Sequence, residues 1–280
     1  MLLAAGRTPF VRDMGGFAVR PNFPGWLKPW PTDHGYGPLA MVVESILAPG
    51  RLIAMHEHRD DEIISWVPEG VMRYDDRWTG PRIVDRDHLL VVNAGRSFWH
   101  SDETLPTDPA LRMLQIIIRP RAIGLEPNVQ HGPIVDVPPN AWRHLLGPEG
   151  TDAPFFVRNS VDFYDIRLEP GAEVAFPTVP GRDVYFYVFS GAIRIGRRTF
   201  TEAHQGLLIG DKSASLKASE PTVMVAFLID PNAPSTRGGT VGDSKDIPPP
   251  IVGKLGLAVL GARNWLRNVW MVGRGTSART

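Results

Sequence analysis

Short apolar runs closed by Pro, Gly, Asp or Asn dominate the chain from residue 38 onward. PLAMVVESIL (38–47), RLIAMHEH (51–58), EIISWV (62–67), HLLVVN (88–93) and LRMLQIIIR (111–119) are short and rich in β-branched residues, so each predicts a strand, not a helix. After a Pro-rich polar stretch a second set begins: FFVRNSVDFYDIRL (155–168), DVYFYVFS (183–190), AIRIGRRTF (192–200), GLLIG (206–210) and TVMVAFLI (222–229). The pattern predicts an all-β chain of two modules in tandem.

The two sets share a register. Leu47, Pro49, Gly50 and Gly70 recur at a constant offset of 121 as Leu168, Pro170, Gly171 and Gly191, and the acid Glu62 is answered by Asp183. Such self-similarity at fixed spacing marks a duplicated unit. The differences are as informative, because His56 and His58 become Pro177 and Val179. The second module reads as a copy that has lost a site.

Composition narrows the chemistry. There are 28 Gly and 27 Pro among 280 residues, scattered and not gathered into one linker, which suits a turn-rich β protein. Lys plus Arg and Asp plus Glu balance at 30 each, so no excess positive field supports bulk nucleic-acid binding, and none is expected. No Cys is present, which excludes disulfides, thiolate metal sites and a Cys nucleophile. The amino terminus carries no long apolar run behind a basic region, so no signal peptide is read and a cytoplasmic location is expected.

Any metal must then be held by His and carboxylates. In MHEHRDDE, His56 and His58 stand at i and i+2, on one face of a strand. Glu62 has the same parity if the strand runs on. GRSFWHSDE supplies His100 with Asp102 at i+2 on a second strand. Three imidazoles and an acid suit Fe, Mn, Ni, Cu or Zn, and iron with open positions for oxygen is the functional reading. His34, His88, His131, His144 and His204 have no same-face partner and read as ordinary strand or surface residues. Trp66, Phe98 and Trp99 read as barrel core.

APGRLIAMHEHRDDEIISWVPEG (48–70), AGR (94–96), FWHSDE (98–103) and LRMLQIIIRP (111–120) resemble the amino-terminal barrel of the pirin family of bicupins, as do DHGYGPLAMVVES (33–45) and LEPNVQH (125–131). The resemblance covers 15–131 closely and 155–230 weakly. It implies two stacked jelly-roll barrels with one divalent metal, Fe(II) first and Mn, Ni, Cu or Zn as alternatives, in the first barrel only. The family's ligands fall on His56, His58, His100 and position 102. That position is Asp where the family has Glu, and Glu103 follows. Strand parity favours Asp102 over Glu103, while ligation by Glu62 stays open. The resemblance implies a dioxygenase of the quercetin 2,3-dioxygenase type, taking dioxygen and a small aromatic enol such as a flavonol, with Glu62 as base. Its alternative is a non-catalytic, metal-binding or redox-sensing regulator acting through a protein partner.

The expected division is a metal-binding barrel over 1–135, a degenerate barrel over 136–247 and a tail over 248–280. The tail has Lys254, Arg263, Arg267, Arg274 and Arg279 and no acid over 251–280. Val252, Leu255, Val259, Ala262, Leu266 and Val269 repeat at helical spacing, which predicts a short carboxyl-terminal helix for peripheral membrane or self-association contact.

Overall fold

The structure, a computed structural model, describes residues 1–210, 214–244 and 247. Strands Leu39–Leu47, Leu52–His58, Glu62–Glu69, His88–Asn93, Phe98–Glu103 and Leu111–Ile118 fall on the apolar runs of the first set and on FWHSDE. In the second set two runs divide, 155–168 into Phe155–Val157 and Val161–Leu168, and 192–200 into Ala192–Ile195 and Arg198–Thr201. Gly196 at φ +56° turns the chain between the latter pair, and Ile195 faces Arg198 across it. Among the described residues the only helix is the 3-10 turn Pro24–Leu27, and no helix is long and apolar enough to cross a membrane. The helix expected over 248–280 lies outside the described residues.

The described chain forms two compact units, and neither is contiguous. One, the histidine unit, comprises Phe10–Asn22, Met41–Ile134 and the described part of the segment from Thr236 on; the other comprises Met1–Pro9, Phe23–Ala40 and Val135–Ser235. The expected division at 135/136 is therefore crossed by both chain ends. A sheet edge accepts any strand with free N–H and C=O groups, whatever its distance in sequence. Thus Leu2–Ala5 pairs with Gln205–Leu208, in register Leu2 to Leu208.

Each unit is a jelly-roll sandwich of a seven-stranded and a four-stranded sheet. In the histidine unit the smaller sheet runs Leu52–His58, Phe98–Glu103, Met72–Asp76, Arg82–Val84, all antiparallel. The second unit repeats it as Glu173–Ala175, Ser215–Ala218, Ala192–Ile195, Arg198–Thr201. Adding 121 to Glu62–Glu69 gives Asp183–Ser190, a strand with the same bounds as the one observed. What fills the two barrels differs. In the second unit, Phe176, Phe186 and Phe200 pack at centroid distances of 5.3 and 5.0 Å among Ile166, Leu168, Val188, Ile193 and Met224. Its strand Glu173–Ala175 stops short of Pro177 and Val179, so the positions answering His56 and His58 lie past its end.

The duplicated glycines have a shared cause. Gly70 and Gly191 take φ of +87° and +84°, and in each case a Cβ would collide with the backbone of the strand alongside. At Gly70 the nearest atoms are Ala110 O at 2.5 Å and Leu111 Cα at 2.7 Å. Gly70→Ala is expected to cost about 2–4 kcal/mol in urea denaturation, from left-handed backbone strain plus the clash. Gly171→Ala, at φ +84° with nothing within 4 Å, isolates the backbone part and should cost only about 1–2 kcal/mol. Equal losses at the two sites would show that close approach plays no part.

Candidate metal centre

Two neighbouring strands of the smaller sheet carry the site. His56 lies directly opposite His100 and His58 opposite Phe98, so the i, i+2 spacing on one strand meets an imidazole on the next. All three histidines are buried. Their ring centroids lie 4.8 Å (56 to 58), 4.5 Å (56 to 100) and 5.0 Å (58 to 100) apart. One nitrogen from each falls within 4.8 Å of the others.

Local bonding decides which nitrogen each ring offers. His56 Nδ1 stands 2.8 Å from the carbonyl oxygen of Ala54, which can only accept, so Nδ1 carries the proton and Nε2 the lone pair. Burial, then the neighbouring His100 and His58, pulls the His56 pKa down to about 2. Burial also lowers His58, against an upward pull from Asp61. Buried histidines held neutral at neutral pH are the form that binds metals. His58 Nε2 and both ring nitrogens of His100 are buried with no hydrogen-bond partner. Since buried polar atoms are nearly always satisfied, a divalent transition-metal ion among the three imidazoles fits the site. Tyr74 stacks on His100 at 5.4 Å and Phe98 stands 6.3 Å away, an aromatic wall that keeps water off this ligand.

The acids behave differently from one another. The pairing of the two strands shifts register between His100 and Asp102, which faces Ile53, so the extra residue of the bulge lies at Ala54–Met55 and not on the His100 strand. Parity is therefore kept on Phe98–Glu103: Asp102 is buried and Glu103 exposed. Asp102 Oδ1 lies 3.5 Å from His100 Nδ1. Its carboxylate does not join the three-nitrogen cluster, because its short side chain ends beside His100.

Glu62 does not approach the imidazoles. The expectation assumed that the strand of His56 and His58 runs on, but it ends at His58, and Asp60 turns the chain at φ +52° before Glu62 opens the next strand. There Ser65 pairs with Gln115, which lines the same interior void as Asp102, so Ser65 and Ile63 face inward and Glu62 faces away. Its carboxylate accepts the side-chain amide of Asn93. Asp183, at the same place in the unit without histidines, likewise takes Tyr36 Oη at 2.6 Å and Gly210 N at 2.8 Å. An acid kept where no site exists anchors the strand start, and the base role does not fit Glu62.

Asp61 is a second acid near the imidazoles, with Oδ2 3.9 Å from His58 Nδ1. Sequence reasoning missed it because parity does not carry through a turn. Of the aromatics, Trp66 and Phe98 are core, whereas Trp99 is 36% exposed with the Arg77 guanidinium 4.6 Å over its ring. Its neighbours Phe98 and His100 point inward, so it must point out. Among the described residues no other histidine joins such a cluster.

Comparison with known proteins agrees with this architecture. A pirin family model described as the quercetinase C-terminal cupin domain matches residues 144–230, the half that carries no histidine site. Quercetin 2,3-dioxygenase of Escherichia coli strain K12 is 24% identical over 219 residues, 74% of this chain and 93% of the relative. The crystal structure of YhhW from Escherichia coli superposes with a TM-score of 0.71 at 18% identity, over 82% of this chain and 97% of that one. The structure of the same bacterial pirin in complex with nickel(II) gives 0.69 at 19% identity, over 82% and 99%. With the duplicated jelly roll and the histidine triad behind it, this likeness supports a bicupin of the pirin family.

Proposed function

We propose that the chain is a dioxygenase of the quercetin type, with Fe(II) at the triad and a flavonol or similar small aromatic enol as its substrate beside dioxygen. The observation that supports this reading most is the convergence of three buried imidazoles in one barrel. His56, His58 and His100 hold the ion. The ion supplies a Lewis-acidic, redox-capable centre, and three imidazoles leave positions open for reactants. Asp102, with Oδ1 3.5 Å from His100 Nδ1, supplies a buried carboxylate beside that ring. Tyr74 and Phe98 exclude water on that flank, and burial pushes the Tyr74 phenol upward so that it stays uncharged.

The test is oxygen uptake by the purified chain loaded with Fe(II), or with Mn, Ni, Cu or Zn, against quercetin and a flavonol panel. Turnover is expected with iron. Asp102→Asn should weaken metal affinity about 10–100-fold, the usual effect of losing an outer-shell partner, and Glu103→Gln should leave it unchanged. Metal binding without oxygen uptake, for every metal and flavonol tried, would transfer the site to a regulator acting through a protein partner.

A further inference from the structure

Far along the chain from the histidines, residues 236–243 return to the histidine unit and dock on the turn that follows the strand of His56 and His58. Thr236 N and Oγ1 donate to Pro120 O at 3.3 and 3.0 Å, and buried Arg119 Nε donates to Asp243 Oδ1 at 2.9 Å. Between these anchors the segment wraps Asp61, which is fully buried. Asp61 Oδ2 accepts from Thr240 Oγ1 at 2.7 Å and from Val241 N at 2.8 Å, and Oδ1 accepts from Gly242 N at 2.9 Å. Gly239 is required for the approach, because a Cβ there would fall inside van der Waals contact of Asp61 Oδ1.

The Thr240 hydroxyl has one proton, and Asp61 takes it. Its oxygen is then an acceptor for Arg59 N at 3.1 Å and for His58 Nδ1 at 3.4 Å. We propose that Asp61 and Thr240 form a relay that positions His58: the carboxylate fixes the hydroxyl, the hydroxyl accepts the Nδ1 proton, and the lone pair is left on Nε2, facing His56 and His100. His56 reaches the same state through the Ala54 carbonyl, so both rings of the strand present the same nitrogen. The segment 239–242 is on this reading part of the metal centre, although it lies beyond both repeats. Asp61 and Thr240 are positioning residues and touch no reactant.

The inference rests on the triad being the metal site, and cobalt(II) titration separates the two. Wild-type protein should bind one cobalt ion per chain. Thr240→Val, which keeps the shape and loses the hydroxyl, should bind about 10–100-fold more weakly, as when an outer-shell partner of a ligand is lost. Its cobalt ligand-field bands should change, and the melting of the metal-free protein should stay close to wild type. Thr240→Ser should restore both affinity and spectrum. Independently of any variant, nitrogen NMR of metal-free wild type should show His58 protonated at Nδ1 only. A wild-type chain that takes up no cobalt overturns the triad and the relay together. Unaltered binding by Thr240→Val, failure of the Ser variant to restore it, or a proton on His58 Nε2 overturns the relay alone.

Discussion

His58→Ala is expected to yield a folded chain that no longer retains a divalent metal, and the wild type to bind one ion per chain. The first part follows from the cluster's size. Among the described residues the cluster that lies within 4.8 Å consists of three imidazole nitrogens, so losing one leaves a two-nitrogen site. Outer-shell losses already cost 10–100-fold in affinity, so loss of a ligand should exceed about 1,000-fold. The fold survives because the ring sits in a wall held by strand pairing along Leu52–His58. The stoichiometry follows from the second barrel, where Phe176, Phe186 and Phe200 fill the interior. Metal analysis of both proteins after dialysis decides the matter: two ions per wild-type chain, or tight binding by the variant, would refute the assignment.

Metal-free protein should lose about 2 kcal/mol of stability between pH 6.5 and pH 4.5 from His56 alone. In the unfolded chain this ring titrates near pH 6.5. In the folded chain burial, reinforced by His100 and His58, brings its pKa down to about 2. Between those values the unfolded state binds one more proton than the folded one, so stability falls as pH falls, by about 1.4 kcal/mol per pH unit. The contribution levels off about one pH unit above 6.5. It is exhausted only as the pH approaches about 2. His58, lowered by burial, adds in the same direction. Urea denaturation of chelator-treated protein at the two pH values measures the difference. A His56→Gln variant should show a shallower dependence, and a wild-type stability that is flat over this range would mean that the rings are not held neutral. Bound metal should oppose the loss, since it competes with the proton for the same lone pairs.

Periodicity-two reading worked where a strand is continuous. It placed His56 with His58 and His100 with Asp102, and it put Asp102 and not Glu103 on the buried face even though the partner strand carries the bulge, while the ligand role read for Asp102 is not met within the nitrogen cluster. It failed at breaks in the chain. Glu62 was matched to His58 by counting across Asp60, whose left-handed backbone resets which side faces in. Trp99 was assigned to the core on its hydrophobicity, against the parity of its own neighbours. The short strands Arg82–Val84 and Glu173–Ala175 carry too few apolar residues to signal themselves. Asp61 and Thr240 stand 179 residues apart, and nothing local to either predicts their hydrogen bond. By contrast the duplication was plain, because Gly70 and Gly191 are both forced by the same close backbone approach.

The exchanged chain ends have a consequence for biosynthesis. Leu2–Ala5 is translated long before its pairing partner Gln205–Leu208, so this strand waits unpaired while roughly two hundred residues are made. The turn at Asp61 is likewise translated long before residues 240–242, which supply three of its hydrogen bonds. Contacts of such separation fold slowly, since loop closure must precede their gain. Translation up to residue 134 therefore yields a histidine barrel whose strands can pair but whose Asp61 still lacks these donors. On the proposed relay, competence to hold metal comes late in synthesis, which would protect a nascent chain from loading an ion before its ligands are set.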